Sequence, residues 1–339
     1  MNEMVSRIVA RPVNGLMYVD AAAVLIEHGV PLSLAGTEAA LDKLPRGNWI
    51  GGTIPYFMLA GGGAVINDET VFVTDLSSVG MVSVRSYGPD ELEGIVSHAP
   101  ANGFTIVIIP SGGECHRRFA AGAADYKDAF LKPMVGWVAG VHLADIGTVT
   151  PKVYDGRTAS KSDDRAVVAY VELTDDRFVS VEIVNLFEPD GGDVLRFEET
   201  SLEVGLCRMN GHLVNLAKYL EIRGLDDGKL PLVGNHAGAY INVSFQSIDV
   251  DGGKVKLCAP VYSGIDYRMA KPVDDYAAAL RQRFADQETY GAVFACHSLP
   301  NFIFGELQGQ AIGGIEGPAT FGEIAHLLLN QTSVLLRVI

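Results

Sequence analysis

The sequence predicts a mixed α/β to α+β fold: two lobes with mixed β-sheets covered by helices, built from duplicated strand–helix–strand–loop–strand units. Three observations carry that expectation. First, a tetrad of mostly small residues recurs as Trp49-Ile50-Gly51-Gly52, Trp137-Val138-Ala139-Gly140 and Ala311-Ile312-Gly313-Gly314, with a weaker copy at Leu232-Val233-Gly234-Asn235. The copies stand roughly 80–95 residues apart, longer than the repeats of solenoids, so duplicated subdomains fit better. Second, the apolar runs at 104–109 and 292–296 have the length of buried strands. Third, helix-like and strand-like segments alternate without a strict βα order, which points to mixed sheets.

In chain order, residues 20–27 and 37–44 read as helices, the second ended by Pro45. A strand at 69–74 follows the first tetrad. Residues 90–97 follow Pro89, a favoured helix opening. The run at 104–109 leads into a helical stretch, 114–131, that stops before Pro133. After the second tetrad comes a strand at 165–173. Residues 210–222 read as an amphipathic helix stopped by Gly224. The Gly- and Asp-rich stretch 224–234 is the expected boundary, dividing the chain into 1–228 and 229–339. Residues 240–248 and 254–261, joined around Asp251-Gly252-Gly253, read as a hairpin. A helix at 274–284 follows Pro272, then the strand 292–296, a short helix at 302–308 and a closing strand at 333–339.

The formal net charge is −15, with only 26 Lys and Arg. Nucleic-acid binding draws its affinity from neutralised phosphates, so an acidic chain without a basic stripe argues against it. Anionic membranes are disfavoured for the same reason. No apolar run approaches the ~20 residues of a membrane span. Met1-Asn2-Glu3-Met4 lacks the basic patch and apolar core of a signal peptide. Four cysteines with no CxxC spacing suit reduced thiols in a cytoplasm.

Several constellations could carry chemistry. Cys115-His116 and Cys296-His297 occupy related places in two units. A thiolate activated by imidazole is a possible nucleophile, so a thiol enzyme using Cys296 or Cys115, with His297 or His116, is the alternative to a binding protein. Neighbours on a strand face opposite ways, however, and the directly adjacent pairs fit zinc spacing badly, so no metal is expected. Ser111-Gly112-Gly113-Glu114 ahead of a helix could receive a carboxylate at Gly112 and Gly113. No GxGxxG or P-loop motif is present, and no cofactor is expected. Glu323 could hold an amino group, or could open a helix in its first turn. Asn330 and Gln331 offer donors and acceptors, or form a turn. Arg268 could pair with a ligand carboxylate. No GxSxG elbow supports a serine hydrolase.

The stretch Gly322-Glu323-Ile324, then Asn330-Gln331-Thr332 and a closing apolar strand, resembles the end of the FIST (F-box and intracellular signal transduction) sensory domain family. Trp49-Ile50-Gly51-Gly52-Thr53 is similar to that family's N-terminal element. The chain departs from the pattern at Ile54-Pro55, where the family has Gly-Glu, and at His297-Ser298, where it has Gly-Arg. The resemblance implies a sensory module binding a small ligand, an amino acid or small carboxylate, with Gly52, Thr53 and Gly322 beside the polar candidates above. It also implies a protein signalling partner, since no output domain accompanies these motifs. A scaffolding role is the third alternative.

Overall fold

The recurrence in the sequence corresponds to three strand-and-helix units in a computed structural model that describes residues 14–236, 238–285, 292–313 and 315–339. Met1-Asn2-Glu3-Met4, and Gly314 of the third tetrad, lie outside the described residues.

The first unit runs β1 (Asn14–Tyr18), α1 (Val19–Glu27), β2 (Leu32–Gly36), α2 (Glu38–Leu41), β3 (Trp49–Thr53), a hairpin of β4 (Tyr56–Leu59) and β5 (Gly62–Val65), and β6 (Thr70–Asp75). Strand β2 lies parallel to β3 and antiparallel to β6, which pairs with β1. The second unit repeats this as β7 (Met81–Tyr87), α3 (Glu93–Ser97), β8 (Gly103–Pro110), α4 (Glu114–Gly122), β9 (Met134–Ala139), a hairpin of β10 (Val153–Asp155) and β11 (Ser160–Ser162), and β12 (Ala166–Glu172). Strand β8 again lies parallel to β9 and antiparallel to β12. Every residue of β8 is buried, as its unbroken apolar run predicts.

The third unit opens with β13 (Val179–Val184) and is then interrupted. The insertion comprises β14 (Leu195–Arg196), β15 (Ser201–Val204), β16 (Leu206–Met209), β17 (His212–Asn215), α5 (Leu216–Arg223), β18 (Leu232–His236), β19 (Ala239–Val243), β20 (Phe245–Asp249), β21 (Lys254–Val261) and β22 (Asp266–Met269). The unit resumes with α6 (Tyr276–Ala285), β23 (Ala292–Ser298), α7 (Leu299–Phe304), β24 (Gly317–Thr320), a hairpin of β25 (Glu323–Ala325) and β26 (Leu327–Leu329), and β27 (Ser333–Val338). Strand β23 lies parallel to β24 and antiparallel to β27, which pairs with β13.

Each unit hands its hairpin to another unit. The first unit's β4 pairs with β24 of the third, the second unit's β10 with β3 of the first, and the third unit's β25 with β9 of the second. Three six-stranded sheets of matching order result, locked in a cycle. Their facing sides share one apolar core that draws on all three units. Gly52 shows how close the approach is: a Cβ there would stand 2.7 Å from the Trp137 ring and 2.6 Å from Ile108.

The inserted lobe has its own core and only antiparallel sheets. The expected boundary at 228/229 falls inside it, because β14, β16 and β17 share a sheet with β18, β19 and β22 from the other side. The fourth tetrad copy lies on β18, which has no parallel partner, so it is not a fourth unit. The helix expected over 210–222 is confined to α5. Asn210 and Gly211, both at positive φ, instead turn the hairpin β16–β17, and Asn215 caps the helix. The strand expected over 240–248 breaks at Ser244 into β19 and β20, which pair with different partners. The third tetrad precedes β24 and is not part of it.

Candidate functional site

The end of β23 enters α7 through Ser298, with Pro300 in the helix's first turn. Around this junction lies a concentration of buried polar side chains: His297, Ser298, Asn301, Thr320, Glu323, and the run from Asn330 to Ser333. The helix reading of Glu323 is overturned. It begins strand β25 opposite Trp137 and is fully buried. Its Oε2 accepts hydrogen bonds from the Thr332 amide at 3.0 Å and the Thr332 hydroxyl at 2.8 Å. Its Oε1 has no partner within hydrogen-bonding geometry. Burial pushes the carboxyl up to about 8, against the opposing pull of Thr332 and Ser298.

Gln331, at φ 52, turns the chain into β27. Its Oε1 accepts from Ser244 Oγ at 2.9 Å and its Nε2 donates to the Lys229 carbonyl at 3.0 Å. Its own backbone amide donates to Ser298 Oγ at 3.0 Å. Asn330 Oδ1 accepts from the Ser244 amide at 3.4 Å and its Nδ2 donates to the Leu329 carbonyl at 2.8 Å. These two residues form the turn that their type predicts, but a buried one that ties the closing strand to the inserted lobe.

A cleft of about 340 Å³ opens over this network, between the lobe and the third unit. Tyr276, Asn301 and Gln331, with Asp227 and Lys229, supply its polar lining; Phe187, Leu230 and Phe304 are among its apolar walls. Asn301 is only 4% exposed, yet neither of its amide atoms reaches a partner within hydrogen-bonding geometry. Its amide sits near enough to the Tyr276 hydroxyl to favour that group's ionised form, although burial holds the phenol well above its usual range. Buried amides are almost always paired with protein, water or ligand, and this unpaired one belongs to a residue that lines a cleft. A larger and more open depression, about 530 Å³, lies at Arg85, Tyr87, His98 and Arg157. Its polar groups are mostly engaged already: Tyr87 with Tyr170 at 2.6 Å, and Arg157 with Asp155 at 2.8 Å.

The remaining candidates lie elsewhere. Gly52 is packed against Trp137, and Thr53 Oγ1 accepts from the Lys152 amide at 3.0 Å inside the sheet contact. Gly322 joins the network through its carbonyl, which accepts from Val138 and from Thr320 Oγ1. Gly112 and Gly113 do open α4, but the carboxylate at that helix N-terminus is the chain's own. Asp164 Oδ1 accepts from the Cys115 amide at 2.7 Å, and a Cβ on Gly113 would meet it at 2.5 Å. Arg268 lies on β22 and donates to the Gly192 carbonyl, away from the cleft.

Neither Cys-His pair has the geometry of an activated thiol. Cys115 is buried and pushed up to about 12 by burial, with Asp164 adding to the effect. Cys296 is raised well above its ordinary value by burial and by Glu323, and its thiol donates to the Gly136 carbonyl. A nucleophilic thiol needs the opposite shift. His116 meets the Gly112 amide and His297 meets Ser333; burial lowers both imidazoles to about 4. Among the described residues, no three His, Cys, Asp or Glu side chains come together as a metal site. Nor is any helix among them long and apolar enough to cross a membrane.

Asn301 and Tyr276 were not singled out by the sequence, and Ser298 stood out only as a departure from the FIST pattern. The available signal was Asn301 itself, a lone amide within the otherwise apolar segment Leu299–Phe304.

Fold and site together define an α+β protein of three interlocked units with one insertion and a polar cleft at its base. The sequence model of a family of unknown function (DUF6976) matches residues 17–339. That is nearly the whole chain, and the protein belongs to this family. No curated protein matches it.

Proposed function

We propose that this protein binds a small polar molecule in the cleft between the inserted lobe and the third unit, and serves as a sensory module that reports occupancy to a protein partner. The open amide of Asn301, buried at that cleft, is the observation that carries the reading. Two further points support it. The two C-terminal motifs that resemble the FIST sensory family, Gly322-Glu323-Ile324 and Asn330-Gln331-Thr332, both contribute to the network beneath the cleft. Gln331 also joins the lobe to the third unit through Ser244 and Lys229, so a ligand touching it bears on the lobe's attachment. Such a ligand shifts conformation only through a difference in affinity between two states.

The test is a thermal-shift screen of amino acids, small carboxylates, amides and amines against the native protein and Asn301→Leu. A ligand at about a hundred times its dissociation constant adds about 2.7 kcal/mol to stability. The reading expects at least one compound to stabilise the native protein and not the variant. Hits that stabilise both equally would place binding outside the cleft and end the proposal.

A further inference from the structure

The chemistry of the cleft's polar lining narrows the ligand. This step rests on the reading just given. Each atom of the Gln331 amide already holds one partner within the protein, which leaves it half its hydrogen-bonding capacity, whereas the Asn301 amide has all of its own. Asn301 has one donor group and one acceptor side by side, both buried and neither with a partner in hydrogen-bonding geometry, the Tyr276 hydroxyl lying nearby. A ligand carboxylate would satisfy the amide NH2 and leave Asn301 Oδ1 facing another acceptor. A ligand ammonium would satisfy Oδ1 and leave the NH2 facing another donor. Burying such a mismatch is costly.

Charge points the same way. The cation of the cleft lining is Lys229, and it is an exposed residue paired with Asp227 at 3.5 Å. Beneath the cleft stands the Glu323 carboxyl, with no cation among its hydrogen-bond partners. An anionic head group at Asn301 would therefore be desolvated without a counter-charge. The aromatic walls, Phe187 stacked on Tyr276 at 5.9 Å with Phe304 also in the lining, suit a flat apolar body.

We infer that the inner end of the cleft takes an uncharged primary carboxamide on a flat apolar body, its N–H donating to Asn301 Oδ1 and its C=O accepting from Asn301 Nδ2. This replaces the amino acid or free carboxylate that the sequence suggests.

The experiment titrates benzamide, benzoate and benzylamine against the full chain by calorimetry, with the native protein, Asn301→Leu and Asn301→Asp. Benzamide is expected to bind, and benzoate and benzylamine to bind at least about tenfold more weakly. Loss of the paired hydrogen bonds is expected to weaken benzamide about tenfold to a hundredfold in Asn301→Leu. Asn301→Asp keeps the volume, removes the donor and is expected to lose benzamide as well. Equal or tighter binding of benzoate or benzylamine, abolished by Asn301→Leu, would keep the cleft as a binding site and overturn the carboxamide. Benzamide binding that both variants retain would overturn the site at Asn301 itself. If none of the three binds, the carboxamide assignment fails, whatever else the cleft accepts.

Discussion

Replacing Asn301 by leucine should make the unliganded protein more stable. Leucine keeps the branching and the heavy-atom count of asparagine, is bulkier on the side that faces the cleft volume, and adds no polar atom. The side chain it replaces is 4% exposed, with both amide atoms unpartnered. A buried polar group without a partner costs about 1–3 kcal/mol, and replacing it by an apolar group of the same shape removes that cost. The surroundings suit the exchange: Tyr276, Phe302 and Leu299 are buried alongside, and Asn301 lies within a helix, where leucine is the better former. Urea unfolding should therefore show a gain of about 1–2 kcal/mol at an unchanged slope. Gln331→Leu is the contrast. It leaves Ser244 Oγ and the Lys229 carbonyl without the partners they have now, and should cost about 1–3 kcal/mol or more. A loss of stability in Asn301→Leu comparable to that in Gln331→Leu would refute the reasoning, since it would mean that the Asn301 amide is satisfied in the native fold and serves structure.

Three more outcomes are expected. Glu323, raised to about 8 when folded from an ordinary value of 4.5, holds its proton more tightly in the native state than in the unfolded chain. Its contribution is full below the unfolded value and is lost as pH rises towards 8, at up to about 1.4 kcal/mol per pH unit. The stability difference between the native protein and Glu323→Gln should therefore shift in favour of the variant between pH 5 and 8, and a pH-independent difference would contradict it. Cys115, Cys207 and Cys296 are buried with raised pKa values, so iodoacetamide should modify them at neutral pH no faster than the protein opens. Rapid labelling of Cys296 or Cys115 in the native state would restore the thiol enzyme. Gly52→Ala places a methyl against Trp137 and Ile108 and should lower stability by about 1–3 kcal/mol in thermal unfolding; an unchanged melting temperature would show that the sheets can part there.

The sequence made the units legible because local physics writes them. The run at 104–109 is apolar but for Thr105 because β8 is covered on both faces, and short runs of that kind announce buried strands. The first two tetrads mark places too close for side chains, since a Cβ on Gly52 would meet Trp137 and Ile108 and one on Gly140 would meet the Phe321 ring at 2.3 Å, and that packing accounts for the motif. What the sequence hid is what depends on pairing at a distance. Nothing local says that β25 pairs with β9, more than 180 residues earlier, so Glu323 reads equally well as a helix opening. Nothing local says that Asp164 reaches the start of α4, so Gly112 and Gly113 look vacant. The insertion's ends do carry loop-like composition, Glu188-Pro189-Asp190-Gly191-Gly192-Asp193 after β13 and Lys271-Pro272-Val273-Asp274-Asp275 before α6, but the stretch 224–234 inside it carries the same signal, and composition alone does not say which of the three is a boundary.

The register of the three sheets explains why the polar site stands in one unit only. The ends of the parallel pairs correspond: Gly36 faces Thr53, Pro110 faces Ala139 and Ser298 faces Thr320. Two residues back along the second strand of each pair stand Gly51, Trp137 and Pro318, whose partners in the exchanged hairpins are Tyr154, Glu323 and Phe57. Tyr154, Glu323 and Phe57 therefore occupy the same place in three copies, and all three are buried. Phe57 fills it with apolar surface, stacked on Phe72 at 5.6 Å. Tyr154 stacks on Trp49 and sends its hydroxyl to Asp42 at 2.8 Å. Only the third hairpin puts a carboxyl there, beside a serine where the other two copies have glycine and proline. A fully buried carboxyl with one open oxygen is a costly choice where an aromatic ring serves in both sister positions. The same unit carries the inserted lobe and the open amide of Asn301. These departures from the repeated pattern thus fall at one junction, where the buried polar groups cost stability, and the proposed ligand is the interaction that would give them a use.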